Sequence, residues 1–313
     1  MDDSLLIRMR RPAMGCEFEV LLCGEDEDHL IAVANEALEE IERLEEQMSL
    51  YLPSSELCWL NAQAAHQPVQ VEAGLFALLQ TAAQISADTE GAFDITAAPL
   101  VKCWGFFQGE GMLPLPEKIA AARKLVGMKH VQLNGAEQTV RFGKEGMELD
   151  LGGIGKGYAV QRATEIMQKY GVCSALLHGG QSTVYALGTP PGEECWTVGI
   201  QHPLDSQRRV AVVHLRDRAL STSGFYERFF TVEGKVYTHL LDPRTGYPVR
   251  EMLSASALAP TATESDALST AFFILGVEGT KEYCRNHEQV GAILVLPSEK
   301  GEEVEVFHLG LVE

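Results

Sequence analysis

Residues 149–160 read LDLGGIGKGYAV, with four glycines between positions 152 and 157, Asp150 just before them and Lys156 among them. Glycines where a strand turns into a helix let the backbone approach a ligand closely and leave the first helical N–H groups for an anion. The flanks suit that junction: MELDL reads as a strand, YAVQRATEIMQKYG as a helix and SALLHGG as the next strand, a βαβ-like unit. Two familiar phosphate loops do not fit. Tyr158 stands where a dinucleotide fingerprint has its last glycine, and Gly157 follows Gly-Lys where a Walker loop has Ser or Thr. The glycines alone leave two readings open, a tight turn packed on a neighbouring strand or a ligand cradle. Lys156 can meet a phosphate, and Asp150 a ribose hydroxyl, a base edge or a metal; both favour the cradle.

Outward from this loop the chain alternates helices and strands without a repeat. CEFEVLL reads as a strand. EDEDHLIAVANEALEEIERLEEQMSLY sets Leu30, Val33, Ala37, Leu38, Ile41, Leu44 and Met48 at three- and four-residue spacings behind an acidic first turn, which predicts an amphipathic helix. LPSSELCWLN reads as a loop and VEAGLFALLQTAAQISADTEG as a second helix. GAFDITAAPLVKCWGFFQGEGMLPLPE mixes aromatics, glycines and prolines without a period and is expected to be a folded loop region. EKIAAARKLVG predicts a short helix, and HVQLN with TVRF a hairpin. A strand-rich run follows from WTVGIQHP to KVYTHLLD, then helices at TESDALSTAFFILG and VEGTKEYCRNH and closing strands at GAILVLP and VEVFHLG. The expectation is an α+β fold over residues 1–313, as one domain or two intimate subdomains.

With 313 residues and 46% hydrophobic content the chain can bury a large core. Its 44 acids against 25 Lys and Arg give a net charge of −19, which repels polyanions and excludes nucleic acid as a natural partner. The seven cysteines are scattered without zinc spacing and are expected to be reduced thiols. The N-terminus places Asp2 and Asp3 before a short apolar run and its arginines after it, unlike a secretory signal, and no stretch reaches membrane-helix length. The expected location is the cytoplasm, without membrane insertion.

Two further stretches carry candidate chemistry. In TESDALSTAFF, Asp266 and Thr270 lie four apart on a predicted helix and share a face, with Ser269 beside them; hard oxygen donors of this kind suit magnesium. A helix-capping role for the acid with Thr270 merely packed is the plainer alternative. In YTHLLDPRTGYP, strand alternation sets Tyr237, His239 and Leu241 on one face before a Pro-Gly turn, so His239 is delivered toward a loop-built site.

AMGCEFEV, SLYLPSSELCWLN, GAFDITAAPLVKCWGF, LDLGGIGKGYAV, ALSTSGFYERFF, YTHLLDPRTGYPV and TESDALSTAFFILG, in this order, resemble the FAD:protein FMN transferases of the ApbE family over nearly the whole chain. The resemblance implies a T-fold-like α+β enzyme that binds FAD with magnesium and moves FMN onto a threonine hydroxyl of a flavoprotein, releasing AMP. It implies that Met14, Tyr51, Ala92, Phe93, Asp94, Asp150 and Lys156 contact FAD. It also implies that Gly153, through its carbonyl, and Asp266, Ser269 and Thr270 hold magnesium, and that His239 is the catalytic histidine. The family commonly has an asparagine and an aspartate around the Gly-Gly that follows; here Leu177 and Gln181 stand there, so one carboxylate is missing, with His178 beside them. Cys16 replaces a frequent threonine. Two other outcomes share the same site: an FAD pyrophosphatase in which water replaces threonine, and a non-catalytic FAD-binding protein.

Overall fold

The computed structural model describes residues 5–107, 109–298 and 304–310; Asp2 and Asp3 lie outside them. The first half of the chain forms β1 (Leu5–Ala13), β2 (Cys16–Gly24), α1 (Glu27–Met48), α2 (Glu56–Gln63), β3 (Val69–Gln70) and α3 (Ala73–Asp88). A 3-10 turn (Ile95–Ala97), α4 (Ala98–Cys103), α5 (Pro116–Arg123), β4 (Val131–Asn134), β5 (Thr139–Phe142) and α6 (Gly155–Lys169) follow. Next come β6 (Ala175–Gly179), β7 (Thr183–Leu187), β8 (Trp196–His202), β9 (Asp205–Leu215), β10 (Arg218–Gly224), β11 (Phe229–Val232) and β12 (Lys235–Thr238). The chain closes with β13 (Leu241–Asp242), β14 (Tyr247–Pro248), β15 (Ser254–Ala259), α7 (Ala262–Asn286), β16 (Gly291–Pro297) and β17 (Val304–Gly310).

Eight strands pair in the order β1-β2-β6-β7-β10-β15-β16-β17, every neighbour antiparallel. The α+β expectation holds. One face of this sheet packs on α1, α6 and α7 through the largest apolar cluster, which includes Phe18, Val20, Ala255, Ala257 and Ala259. The other face meets the β8–β9 hairpin, where Trp196, Ile200, Val213 and Leu215 bury Leu176, Val184, Leu220, Leu258 and Ile293. A third cluster around Trp104, Phe106 and Tyr237 packs α4 and α5 near the β11–β12 hairpin.

Helix α1 follows its sequence pattern. All seven of the apolar positions at helical spacing are buried, and the Asp26 carboxylate caps the helix by accepting from His29 N at 3.0 Å. The predicted pair of helices at 263–287 is one element broken at Gly276, whose φ of 68° lies in the left-handed region that a glycine enters without a Cβ clash. The β4–β5 hairpin is present and gains β3 as a third strand.

Several expectations fail for local reasons. MELDL is not a strand: Asn61 donates to Leu149 O and accepts from Leu149 N, and Asp150 N donates to Ile95 O at 2.7 Å. A side chain and a turn thus occupy the groups a neighbouring strand would have used. No βαβ unit follows, because α6 leads into β6, which lies antiparallel between β2 and β7. LPSSELCWLN is partly helical: Ser55 accepts from Cys58 N at 3.0 Å and starts α2. The loop region after Gly91 contains the 3-10 turn and α4. Strand alternation at 237–241 stops at Thr238, so His239 lies just beyond β12. The unforeseen β1 turns Ile7 and Met9 toward the core while Arg8 and Arg10 pair with Glu19 on the other side.

Candidate active site

The hairpin joining β1 to β2 turns on Met14 and Gly15, both at positive φ (50° and 72°), a two-residue turn that brings Met14 to the mouth of a large cavity. The cavity measures about 790 Å³ and lies among that turn, the end of α1, the glycine loop, α7 and the segment around His239. Its size suits a cofactor-sized ligand. Met14, Tyr51, Ala92, Phe93, Asp94, Asp150, Gly153, Lys156, His239, Asp266 and Thr270 all line it.

The glycine loop divides its labour. Gly152 N donates to Asp150 Oδ1 at 2.8 Å, which folds the loop back on the acid. Helix α6 begins at Gly155 without a side-chain cap from its own N-terminal neighbour, and Asp266 of α7 supplies one by accepting from Gly157 N at 2.8 Å. That N–H is therefore not free for an anion. A Cβ on Gly157 would stand 2.2 Å from Ala262 O and 2.5 Å from Asp266 Cβ, so glycine here permits α6 and α7 to touch. Gly153 faces the site: a Cβ there would sit 3.4 Å from Thr270 Oγ1.

Asp266 is buried, and burial raises its carboxyl above the usual range while the Lys156 charge and the Gly157 N–H draw it back. A chain of hydroxyls stands behind it. Ser265 Oγ and Ser221 Oγ are bonded at 2.5 Å, Ser221 donates to Thr183 at 3.2 Å, and Thr183 donates to Asp266 Oδ1 at 3.4 Å. Ser269 departs from the expected set. It donates to Asp266 O and bonds Ser223 Oγ, both at 2.8 Å, and does not line the cavity. Ser223 Oγ also reaches Thr270 Oγ1 at 3.3 Å. Among the described residues no three His, Cys, Asp or Glu side chains gather as a metal cage. The oxygens of Asp266, Thr270 and Gly153 nevertheless have the hard-donor chemistry that magnesium takes, with few protein ligands and the remainder left to substrate or water.

Asp94 has both oxygens engaged, Oδ1 by Thr96 N at 2.9 Å and Oδ2 by Met128 N at 3.1 Å. Burial raises its pKa, as it does for Asp150, where the Gly152 N–H, Arg228 and Lys102 oppose the rise. Tyr51 is half-exposed at the rim and stacks on Phe107, ring centroids 5.1 Å apart at 9°, with Lys102 Nζ 4.9 Å over the Phe107 ring. Among the described residues Lys156 forms no ion pair, although its charge acts on Asp266, Glu227 and His239.

His239 is held by the Arg228 carbonyl, 3.0 Å from Nδ1, with Phe106 edge-on at 6.3 Å. Burial, with Arg228 and Lys156 adding to it, lowers the imidazole pKa to about 4, so the ring is neutral at pH 7. Glu227 and Ser223 also line the cavity, and both fall in the block ALSTSGFYERFF, where no pattern of spacing singles them out. Gln181 is exposed and does not line the cavity, and neither does His178. Burial raises the Cys16 thiol pKa, which fits a packed rather than reactive cysteine.

The ApbE family matches residues 14–294. The chain belongs to the ApbE family. The FAD:protein FMN transferase of Treponema pallidum (strain Nichols) is 34% identical over 86% of this chain and 79% of its own length. That of Klebsiella pneumoniae (strain 342) is 32% identical over 94% and 90%. Among solved structures, the ApbE protein of Thermotoga maritima superposes with a TM-score of 0.88 at 29% identity, covering 97% of each chain. The flavinyl transferase ApbE of Pseudomonas stutzeri, in its apo form, gives 0.85 at 28%, covering 98% of this chain and 95% of its own. ApbE membership thus confirms the resemblance, the α+β architecture and the expected enzyme class, a transferase. Among the described residues no helix is long and apolar enough to cross a membrane.

Proposed function

We propose that this ApbE-family chain is an FAD:protein FMN transferase that binds FAD in the 790 Å³ cavity and moves its FMN part onto a threonine hydroxyl of a flavoprotein, releasing AMP. The observation that carries this reading is convergence: the cation of Lys156, the imidazole of His239 and the oxygens of Asp266 and Thr270 share one cavity, with the Gly153 backbone against Thr270.

The chemistry needs these groups. As the threonine oxygen bonds to the FMN-side phosphorus, the bridging P–O bond breaks and negative charge spreads over the phosphoryl oxygens and the AMP leaving group. Lys156 is placed to balance that charge, and a neutral His239 is able to take the hydroxyl proton. Magnesium, held by Asp266, Thr270 and the Gly153 carbonyl with Ser269 behind them, would supply further charge balance on the pyrophosphate. Met14, Tyr51, Ala92, Phe93, Asp94 and Asp150 line the remaining wall, where the nucleotide and flavin rings would rest.

The test incubates the protein with FAD and magnesium, with and without a flavoprotein fragment that carries a target threonine, and follows AMP and acceptor mass. Acceptor-dependent AMP with a covalent FMN adduct is expected. AMP without an adduct would replace the transferase with an FAD pyrophosphatase, and bound FAD without AMP would leave a flavin-binding protein.

A further inference from the structure

The groups that face both nitrogens of the His239 ring come from one dipeptide. The Arg228 carbonyl accepts the His239 backbone N–H at 3.1 Å and lies 3.0 Å from Nδ1. A carbonyl can only accept, so the ring proton sits on Nδ1 and Nε2 offers its lone pair. The Arg228 guanidinium is in turn tied to the carbonyls of Phe106 and Gly109, which fixes the dipeptide against the cavity wall. Nε2 looks toward Glu227 Oε2 at 3.9 Å. That gap is too wide for a direct hydrogen bond, and it leaves Nε2 open to a hydroxyl donor about 2.8 Å away while the carboxylate stays beside the ring. Among the described residues the Glu227 carboxylate accepts no hydrogen bond, although it lines the cavity.

We propose that Nε2 of His239 accepts the single proton of the acceptor hydroxyl, and that Glu227 is the positioning residue whose carboxylate pairs with the imidazolium once His239 has taken that proton. This rests on the transferase reading above. The hydroxyl O–H breaks, its proton goes to Nε2 and its oxygen forms the bond to the FMN-side phosphorus. The P–O bond to AMP breaks, and its electron pair leaves with AMP. As the oxygen is drawn onto phosphorus, the new Nε2–H is left facing Glu227. The ring thus has an anionic partner on the side that gains the charge.

The electrostatic setting suits an ion pair formed on proton transfer. Burial raises the Glu227 carboxyl and lowers the His239 imidazole, so each is most easily charged beside the opposite charge of the other. Other charges face the pair from three sides. Lys156 on α6 lowers both, Asp266 on α7 raises Glu227, and the Arg228 guanidinium lowers His239. The Cys16 thiol on β2 and the Tyr226 phenol also feel Glu227.

The experiment compares wild type with Glu227→Gln and Glu227→Asp. The first measurement is the NMR titration of the His239 ring in the ligand-free protein, which needs no turnover. Loss of a nearby carboxylate destabilises imidazolium, so Glu227→Gln should lower the ring pKa by about half a unit or more. The second is flavinylation: kcat should fall at least about tenfold with the KM for FAD within about twofold, and Glu227→Asp should recover part of the loss. An unmoved ring pKa in Glu227→Gln, or an undiminished kcat, overturns the proposal. If wild type makes no adduct, the transferase reading fails separately, and the ring titration alone decides whether the two side chains are coupled.

Discussion

The two faces of the eight-stranded sheet are built from the same strands to different ends. On the hairpin side, Leu220 of β10, Leu258 of β15 and Ile293 of β16 meet Trp196, Ile200 and Val213, a dry contact among large side chains. On the helix side the same strands show Ala219, Ala255, Ala257 and Ala259, then Ser221 and Ser223, whose hydroxyls bond residues of α7. Small residues bring α7 close to the sheet, and hydroxyls fix the turn of α7 that carries Asp266 and Thr270. The hairpin face contributes mainly stability, whereas the helix face contributes stability and the placement of a reactive site. A substitution should therefore separate stability from activity on one face and couple them on the other.

The largest expected effect lies at the centre of the helix face. Asp266→Asn keeps an acceptor for Gly157 N but removes the charge, so the helix contact survives while any magnesium is lost. Flavinylation should fall by about 10²–10³-fold or more, the scale of losing one preorganised charge-stabilising contact, while the melting temperature changes little. Turnover close to wild type in this variant would remove Asp266 from the metal site. Next in size is Gly157→Ala. Its Cβ would collide with Ala262 O and Asp266 Cβ, so α6 must move away from α7, costing about 1–3 kcal/mol and lowering activity with it. Denaturant unfolding and a flavinylation assay on the same sample check that the two losses occur together.

On the hairpin face the coupling should vanish. Leu258 is 2% exposed, and Leu258→Ala leaves a cavity under the hairpin that should cost about 2–5 kcal/mol. Its kcat at a temperature where it remains folded should equal that of wild type. A matching fall in kcat would show that the sheet transmits strain between its faces and would end the comparison drawn above.

How far the sequence shows this arrangement depends on whether a residue acts through its own periodicity or through a distant partner. Helix α1 is legible because its buried positions repeat every three or four residues, and Gly276 marks the break in α7. MELDL has strand-like alternation, but Asn61, 88 residues before Leu149, takes the backbone groups a strand would have used. The glycine loop was readable as a close approach. Its division into Gly157 against α7 and Gly153 against Thr270 was not, because both contacts reach more than a hundred residues along the chain. His239 stood out as a lone histidine beside a turn. Glu227 did not, since one acid among 44 looks like solvated surface until folding brings Arg228 and His239 to the same wall.

The smallest expected effect is a pH dependence, and its sign follows from burial. His239 has a pKa of about 4 in the folded protein and an ordinary value near 6.5 in the unfolded chain. Between these values the unfolded state binds more protons than the folded one, so this residue's contribution to stability is full above pH 6.5 and declines as pH falls toward 4. His239→Gln should flatten that part of the stability–pH curve. Catalysis should show the same residue differently: because the neutral ring persists well below pH 6.5, the acid limb of kcat should lie closer to 4 than to 6.5, shifted upward to the extent that bound pyrophosphate stabilises imidazolium. A stability–pH curve with the same slope in wild type and His239→Gln would show that the ring is solvated in solution, and the distinction between a dry structural face and a tuned catalytic face would then lose its electrostatic half.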